Sequence, residues 1–265
     1  MITQHYTGKK KKLPKIPTKE QLLRIIKEVK DPSVMMGIFL GLFLGFRISE
    51  GTYDCKRGNT PLKWEDVDLE RGEVTILDAK NPKRYKSGYG KDRIVPIFDH
   101  FLHVFKLWKG LHPDSEWVLP DRKDAKKPMK TGYLQRRTHL AIERAGLQSI
   151  DYYQTNGNAR YKYSFHTFRH CCGTNILRRG MTLEEVKEFL GHESIESTMI
   201  YVKIMKDDLK EAVTHAYAYP KKRKYFLDIK QPNMDMQMGI EALRLENENL
   251  KMKMQLQQPV MVIPQ

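Results

Sequence analysis

The chain has 265 residues, and its 47 Lys and Arg against 32 Asp and Glu leave a net charge of +15. That length holds one large domain or two small ones around a buried core, and three cysteines (Cys55, Cys171, Cys172) are too few for a disulfide framework. The excess of cations points to nucleic acid, because phosphate neutralisation supplies most non-specific affinity, although a ribosome-associated or heparin-like binder would share it.

Residues 1–16 are polar and basic, with Lys9 to Lys12 in a row and no apolar segment behind them. They read as a flexible arm rather than a signal peptide. Thr18-Lys-Glu-Gln21 has the shape of a capping box, and the apolar residues Leu22, Leu23, Ile25, Ile26 and Val29 follow at helical spacing. Asp31-Pro32-Ser33 then starts a second helix whose apolar run, Val34 to Phe46, is too short to span a bilayer. Residues 73–77 and 93–98 read as two strands joined by a basic loop, Lys80 to Lys91, and Pro96 marks the second as an edge strand. Helices are expected at 100–110, 132–145 and Thr167–Arg179, the last closing at Gly180. A second capping box at Thr182–Glu185 opens a helix that ends at Gly191, and a final helix carries Tyr201 to about Ala216. The pattern predicts a mainly α fold with a small antiparallel β-sheet, over residues 17–218. Residues 219–235 read as a basic linker and 259–265 as a tail. Between them, 236–258 carry a short heptad register with Asn247 at a core position, a candidate coiled coil that would set a dimer register; a solvated amphipathic helix fits the same residues.

Five residues stand apart from this helical pattern. Arg47, in Leu44-Gly-Phe-Arg-Ile-Ser-Glu50, would on its own snorkel or pair with Glu50, yet its planar fork also suits two phosphate oxygens. His166 and Arg169, three apart, share one helix face. His192 comes 23 residues after Arg169, and Tyr201 nine after His192. Taken singly, a helical His or Tyr is usually a core residue, and a His at a helix end usually caps it. Together, arginines, imidazoles and a phenol form a set that can grip a phosphodiester while an oxygen nucleophile attacks it. Cys55, His170 and Cys171 offer no metal-ligand spacing, so the cysteines read as small core residues and neither a metal nor another cofactor is expected.

From about Leu13 to Asp208 these segments resemble the tyrosine recombinase (phage integrase) family, most closely in Gly45–Glu50, His166-Thr-Phe-Arg169, Leu190-Gly-His192 and Ser197–Tyr201. The resemblance implies a DNA recombinase or integrase, of a mobile element or virus, that breaks strands through a 3′-phosphotyrosyl intermediate on Tyr201, without metal or ATP. It implies that Arg47 and Arg169 hold the phosphate and that His192 donates to it. His166 would donate as well, or accept the tyrosyl proton, with His170 as a buttress. A hairpin lysine would protonate the leaving 5′ oxygen; alignment favours Lys80, with Lys91 second. Lys83, Lys86, Lys91 and Arg93 would be further DNA contacts. The implied partners are double-stranded DNA and other copies of the chain, four on a Holliday junction, in the cytoplasm at the nucleoid and away from membrane.

Two features depart from the family pattern. The separate helical domain that usually precedes the catalytic one has only a basic arm in its place, so that the arm, the coiled coil or an accessory protein would have to compensate. Tyr53–Pro61 looks inserted, with no role assigned. Among rivals, a type IB topoisomerase shares the site chemistry but is usually monomeric, against the heptads. A non-catalytic DNA-binding regulator would be expected to have lost part of the six-residue set. A coiled-coil scaffold would leave that set a coincidence.

Overall fold

The computed structural model describes residues 13–77, 92–153 and 157–205. Lys80, Lys83, Lys86 and Lys91 lie outside them, as do most of the arm, the expected helix beyond residue 205, the linker and the heptads.

Helix α1 (Lys19–Lys27) opens on its capping box, the Thr18 hydroxyl accepting from the Gln21 amide and the Gln21 side chain from the Thr18 amide. Helix α2 (Pro32–Phe43) is capped by Asp31, which accepts from the Ser33 and Val34 amides. Val34 to Gly41 are all buried, as a helix apolar on every side requires, and α2 packs against α5 (Thr131–Arg144) and α6 (Phe165–Arg178). The apolar run does not stay helical as far as Phe46. Gly45 turns left-handed at φ 64°, and Arg47 becomes the residue before a one-turn helix, α3 (Ile48–Gly51).

Strands β1 (Val67–Asp68), β2 (Glu73–Ile76) and β3 (Arg93–Pro96) form an antiparallel sheet in that order, with β3 at an edge as Pro96 demands. The register pairs Val74 with Val95 and Ile76 with Arg93. Cross-strand partners share a face, so Arg93 lies on the buried face with Val74, Ile76 and Val95, while Ile94 points outward. Helix α4 (Asp99–Leu111) buries Phe101, Val104, Phe105 and Trp108 along one stripe. Its Phe101 meets Phe39, Phe43, Phe98 and Phe105 with ring centroids 5.0–6.3 Å apart.

A second hairpin, β4 (Ile150–Tyr153) and β5 (Ala159–Tyr161), precedes α6 and was not expected from the sequence, whose tyrosines there show no simple alternation. Helix α7 (Leu183–Leu190) begins at the Thr182 capping box and ends at left-handed Gly191. A 3₁₀ turn at Ile195–Ser197 leads to α8 (Met199–Ile204).

The cysteines divide. Cys172 is buried and Cys171 half-buried, but Cys55 is exposed, contrary to its reading as a core residue. It sits in the loop after α3, which is tied down by Asn59. That amide donates to the Ser49 and Thr52 carbonyls, and its oxygen accepts from the Asp54 amide. No helix among the described residues is long and apolar enough to cross a membrane, and no group of side chains there is arranged to hold a metal ion.

Candidate active site

The end of α7 organises the site. Its last carbonyls have no partner within the helix, and three arginines from three elements take them in sequence order. Arg93 Nε donates to Phe189 O at 3.1 Å, Arg169 Nη2 to Leu190 O at 2.5 Å, and Arg47 Nη2 to Gly191 O at 2.9 Å. Cations at a helix C-terminus are also favoured by its dipole. A second Arg169 nitrogen donates to Gly45 O, an acceptor presented by the left-handed turn that frees Arg47 from α2.

Glu50 is the counter-charge. It is 4% exposed and accepts a bidentate pair from Arg93 at 2.9 and 3.0 Å, a bond from Arg47 Nη1 at 2.8 Å and one from the Arg47 amide at 2.7 Å. Burial alone would raise its pKa. The charge and hydrogen bonds of Arg93, then the charges of Arg169 and Arg47, outweigh burial and hold the carboxyl at about 2. One carboxylate facing three guanidiniums leaves a net positive cluster suited to an anion. Arg169 is 2% exposed; burial first and Arg47 second bring it down to about 10, so it stays charged at neutral pH.

Tyr201 on α8 is wholly buried. Its ring lies on Gly173, one turn of α6 beyond Arg169, where an added Cβ would come 2.5 Å from the ring. Only glycine leaves that seat open. The phenol oxygen has no hydrogen-bond partner, and burial pushes its pKa up to about 12 against the pull of Arg169. His192 stacks on the Tyr201 ring at 6.0 Å and 14°, held by a 2.9 Å bond between its Nδ1 and Thr198 Oγ1. His170 lies 5.9 Å from the same ring on another side and 4.6 Å from His166. All three imidazoles are held neutral chiefly by burial; next comes the charge of Arg169 for His166 and His192, and the proximity of His166, ahead of Arg169, for His170. His166, although an exposed residue, sits at about 4, and half-buried His170 and His192 at about 3.

Arg47, His166, Arg169, His192 and Tyr201, spread over 155 positions of sequence, are thus gathered in one place. Arg93 is placed differently from its expected role as a DNA contact. The β-register turns its side chain inward, 8% exposed, and Glu50 takes its fork, so it positions the cluster instead. Sequence reasoning cast Glu50 only as a partner that would make Arg47 ordinary, and missed Gly173 and Thr198. The spacing Arg169-x-x-x-Gly173, one helical turn, was the available signal for Gly173.

The description of the phage integrase family matches residues 15–207. The chain is 30% identical over 210 residues to tyrosine recombinase XerA of Thermococcus onnurineus, covering 76% of this chain and 62% of that protein. It is 32% identical over 136 residues to transposase B of transposon Tn554 from Staphylococcus aureus, covering 50% and 20%. The chain therefore spans about three-fifths of the length of the XerA relatives it matches. Among solved structures it superposes on XerA recombinase with a TM-score of 0.57 at 20% identity, over 79% of this chain and 67% of that one. A lambda integrase dimer bound to a COC′ core site gives 0.52 at 17%, over 73% and 49%. At those identities the superpositions speak for the fold alone, a tyrosine recombinase catalytic fold of α+β class. The family match runs through every element that carries the arginine cluster, Glu50 and Tyr201, and by it the chain belongs to the phage integrase family.

Proposed function

We propose that the protein is a DNA strand transferase that cuts and rejoins double-stranded DNA through a phosphotyrosyl bond on Tyr201. The observation that carries this reading is the convergence of a positive arginine cluster, neutral histidines and one phenol without a hydrogen-bond partner. The cluster would receive the scissile phosphate, Arg47 and Arg169 stabilising charge on its non-bridging oxygens in the transition state. Tyr201 Oη attacks phosphorus, its proton passes to a base, and the 5′ oxygen leaves as a hydroxyl after protonation. Bond energy is kept in the ester, and attack by a 5′ hydroxyl from the same or a partner strand reverses the step. A neutral imidazole is a competent acceptor, and His166, exposed to solvent, is assigned that role. The general acid is assigned to Lys80.

Because Tyr201 is fully buried over Gly173, α8 has to shift before the phenol can meet a phosphate. Two of the similar structures are a lambda integrase dimer bound to a core site and a Tn1549 transposon integrase in complex with transposon right-end DNA. By that likeness we assign duplex DNA and further copies of this chain as partners, in the compartment that holds the DNA, with strand exchange through a Holliday junction. The test is detergent trapping on supercoiled plasmid. Wild type is expected to leave protein-linked DNA, and Tyr201→Phe to bind equally while leaving none; adducts from both, or loss of binding by the variant, would refute the assignment.

A further inference from the structure

Among the described residues, seven large hydrophobic side chains are exposed, and four of them, Ile150, Tyr152, Tyr153 and Tyr161, sit on the β4–β5 hairpin. That concentration is not what an isolated ribbon sheds by chance, because a two-stranded sheet is marginal in water without support. This ribbon is held from below. Just past β5 the Tyr163 hydroxyl donates to Gln21 on α1 at 3.2 Å, and the Tyr161 ring meets His139 on α5 at 4.6 Å, which turns the Tyr161 face toward the body of the protein. Its upper face is nevertheless open.

The register sorts the faces. Ile150 pairs with Tyr161, Tyr152 with Arg160 and Tyr153 with Ala159, with a bulge between Ile150 and Tyr152. Partners across a ladder share a face, and neighbours along β5 alternate. Ile150, Tyr153 and Tyr161 therefore share one face, and Tyr152 and Arg160 the other. Without the bulge, Tyr153 would turn away from Ile150. The bulge sets Ile150, Tyr153 and Tyr161 on the side that meets His139 and leaves exposed Tyr152 and Arg160 on the other.

Charge decides between occupants. Between Ser149 and Tyr163 the only carboxylate is Asp151, and Lys15 neutralises it at 2.9 Å. Arg160 and Lys162 remain, and the sequence just before Lys15 carries Lys9 to Lys12. The same ribbon of a second copy would bring like charge here, whereas a polyanion is drawn in. Size fits as well: a two-stranded ribbon is a shape that the roughly 12 Å major groove admits. Position fits too, since five residue steps separate Tyr161 from His166, a span of at most about 17 Å.

We propose that the β4–β5 ribbon lies in the major groove of duplex DNA beside the scissile phosphate and reads its bases with the face of Tyr152 and Arg160, Arg160 toward a guanine edge and Tyr152 toward a thymine methyl. The proposal rests on the DNA-cleaving function above and adds the element that selects its site. The test is binding-site selection from random duplexes with the full chain, its Arg160→Ala and Tyr152→Ala variants, and the control Lys106→Ala on α4. Wild type and control are expected to enrich one motif. Each ribbon variant should relax it at one or two positions, discrimination there falling about 5- to 150-fold, with melting temperature and Tyr201-dependent adducts on a permissive nicked duplex unchanged. A motif unaltered by both ribbon variants, no motif from wild type, or a ribbon variant that changes self-association instead of base preference would overturn the proposal. A wild type that enriches a motif yet forms no adduct would refute the cleavage chemistry and leave the ribbon's reading standing.

Discussion

Tyr201 and Gly173 form a pair in which one residue's identity is explained by the other's ring. An added methyl at Gly173 overpacks the phenol, so Gly173→Ala should destabilise by about 1–3 kcal/mol. Gly110 on α4 has nothing within 4 Å of an added Cβ, and Gly110→Ala should instead stabilise by roughly 0.5–1 kcal/mol. Urea denaturation of the two variants checks both signs. Glu50 is the other decisive residue. Its replacement by Gln removes the charge that three guanidiniums face, and should cost about 3–5 kcal/mol. Added phosphate should recover part of that stability by taking the place of the lost anion, while Arg47→Ala should lose the recovery. The histidines set the acid limit. Their folded pKa values of about 3 to 4 lie below the ordinary value near 6.5, so the folded state resists their protonation. Stability is complete above about pH 6.5 and is lost as the pH falls toward 4, by up to roughly 1.4 kcal/mol per unit for each of His170 and His192, and by less for exposed His166, whose charge water screens. Glu50 adds its own loss in more acidic solution, from its ordinary value down toward about 2. Thermal melts between pH 8 and pH 4 read that slope, and a bound anion, which favours charged imidazoles, should flatten it.

At the scale of elements, α7 is the clamp. The carbonyls of Phe189, Leu190 and Gly191 take one arginine each, and His192 follows directly. Loosening the helix start should therefore be felt at the site. Thr182→Ala removes the cap that accepts from Glu185, at a cost of about 0.5–2 kcal/mol, and should slow adduct formation more than an equally costly change on α1. Both capping boxes were legible because their chemistry is local, as were α4, α5 and the pairing of β2 with β3, whereas the two-residue β1 was too short to leave a pattern. The inward aim of Arg93 was not. Arg-Ile-Val-Pro-Ile-Phe is apolar on alternate sides, and only pairing with Ile76 fixes which side is buried. The break at Gly45 was hidden for a similar reason, since a glycine in an apolar run signals neither a turn nor a packing contact until its φ is known. The β4–β5 ribbon escaped because a bulge erased its alternation.

Across the whole molecule, the net charge of +15 predicts DNA binding that weakens steeply with salt. Raising salt from 50 to 200 mM should lower affinity by about 10³–10⁵-fold if six to ten phosphates are neutralised, as titration of a labelled duplex would measure. The site residues were legible because their motifs are short and carry residue types that the fold rarely needs in combination. What joins them was not, because Glu50 meets Arg93 from 43 positions away, Gly173 meets Tyr201 far along the chain, and the α7 carbonyls are main-chain atoms that every sequence has. The most direct measurement traps protein–DNA adducts, digests the protein and identifies by mass spectrometry the peptide that carries the nucleotide. The account predicts a single peptide containing Tyr201, bonded to a 3′ phosphate, with a free 5′ hydroxyl on the other DNA end. Attachment through any other residue, or a 5′-phosphate linkage, would contradict it.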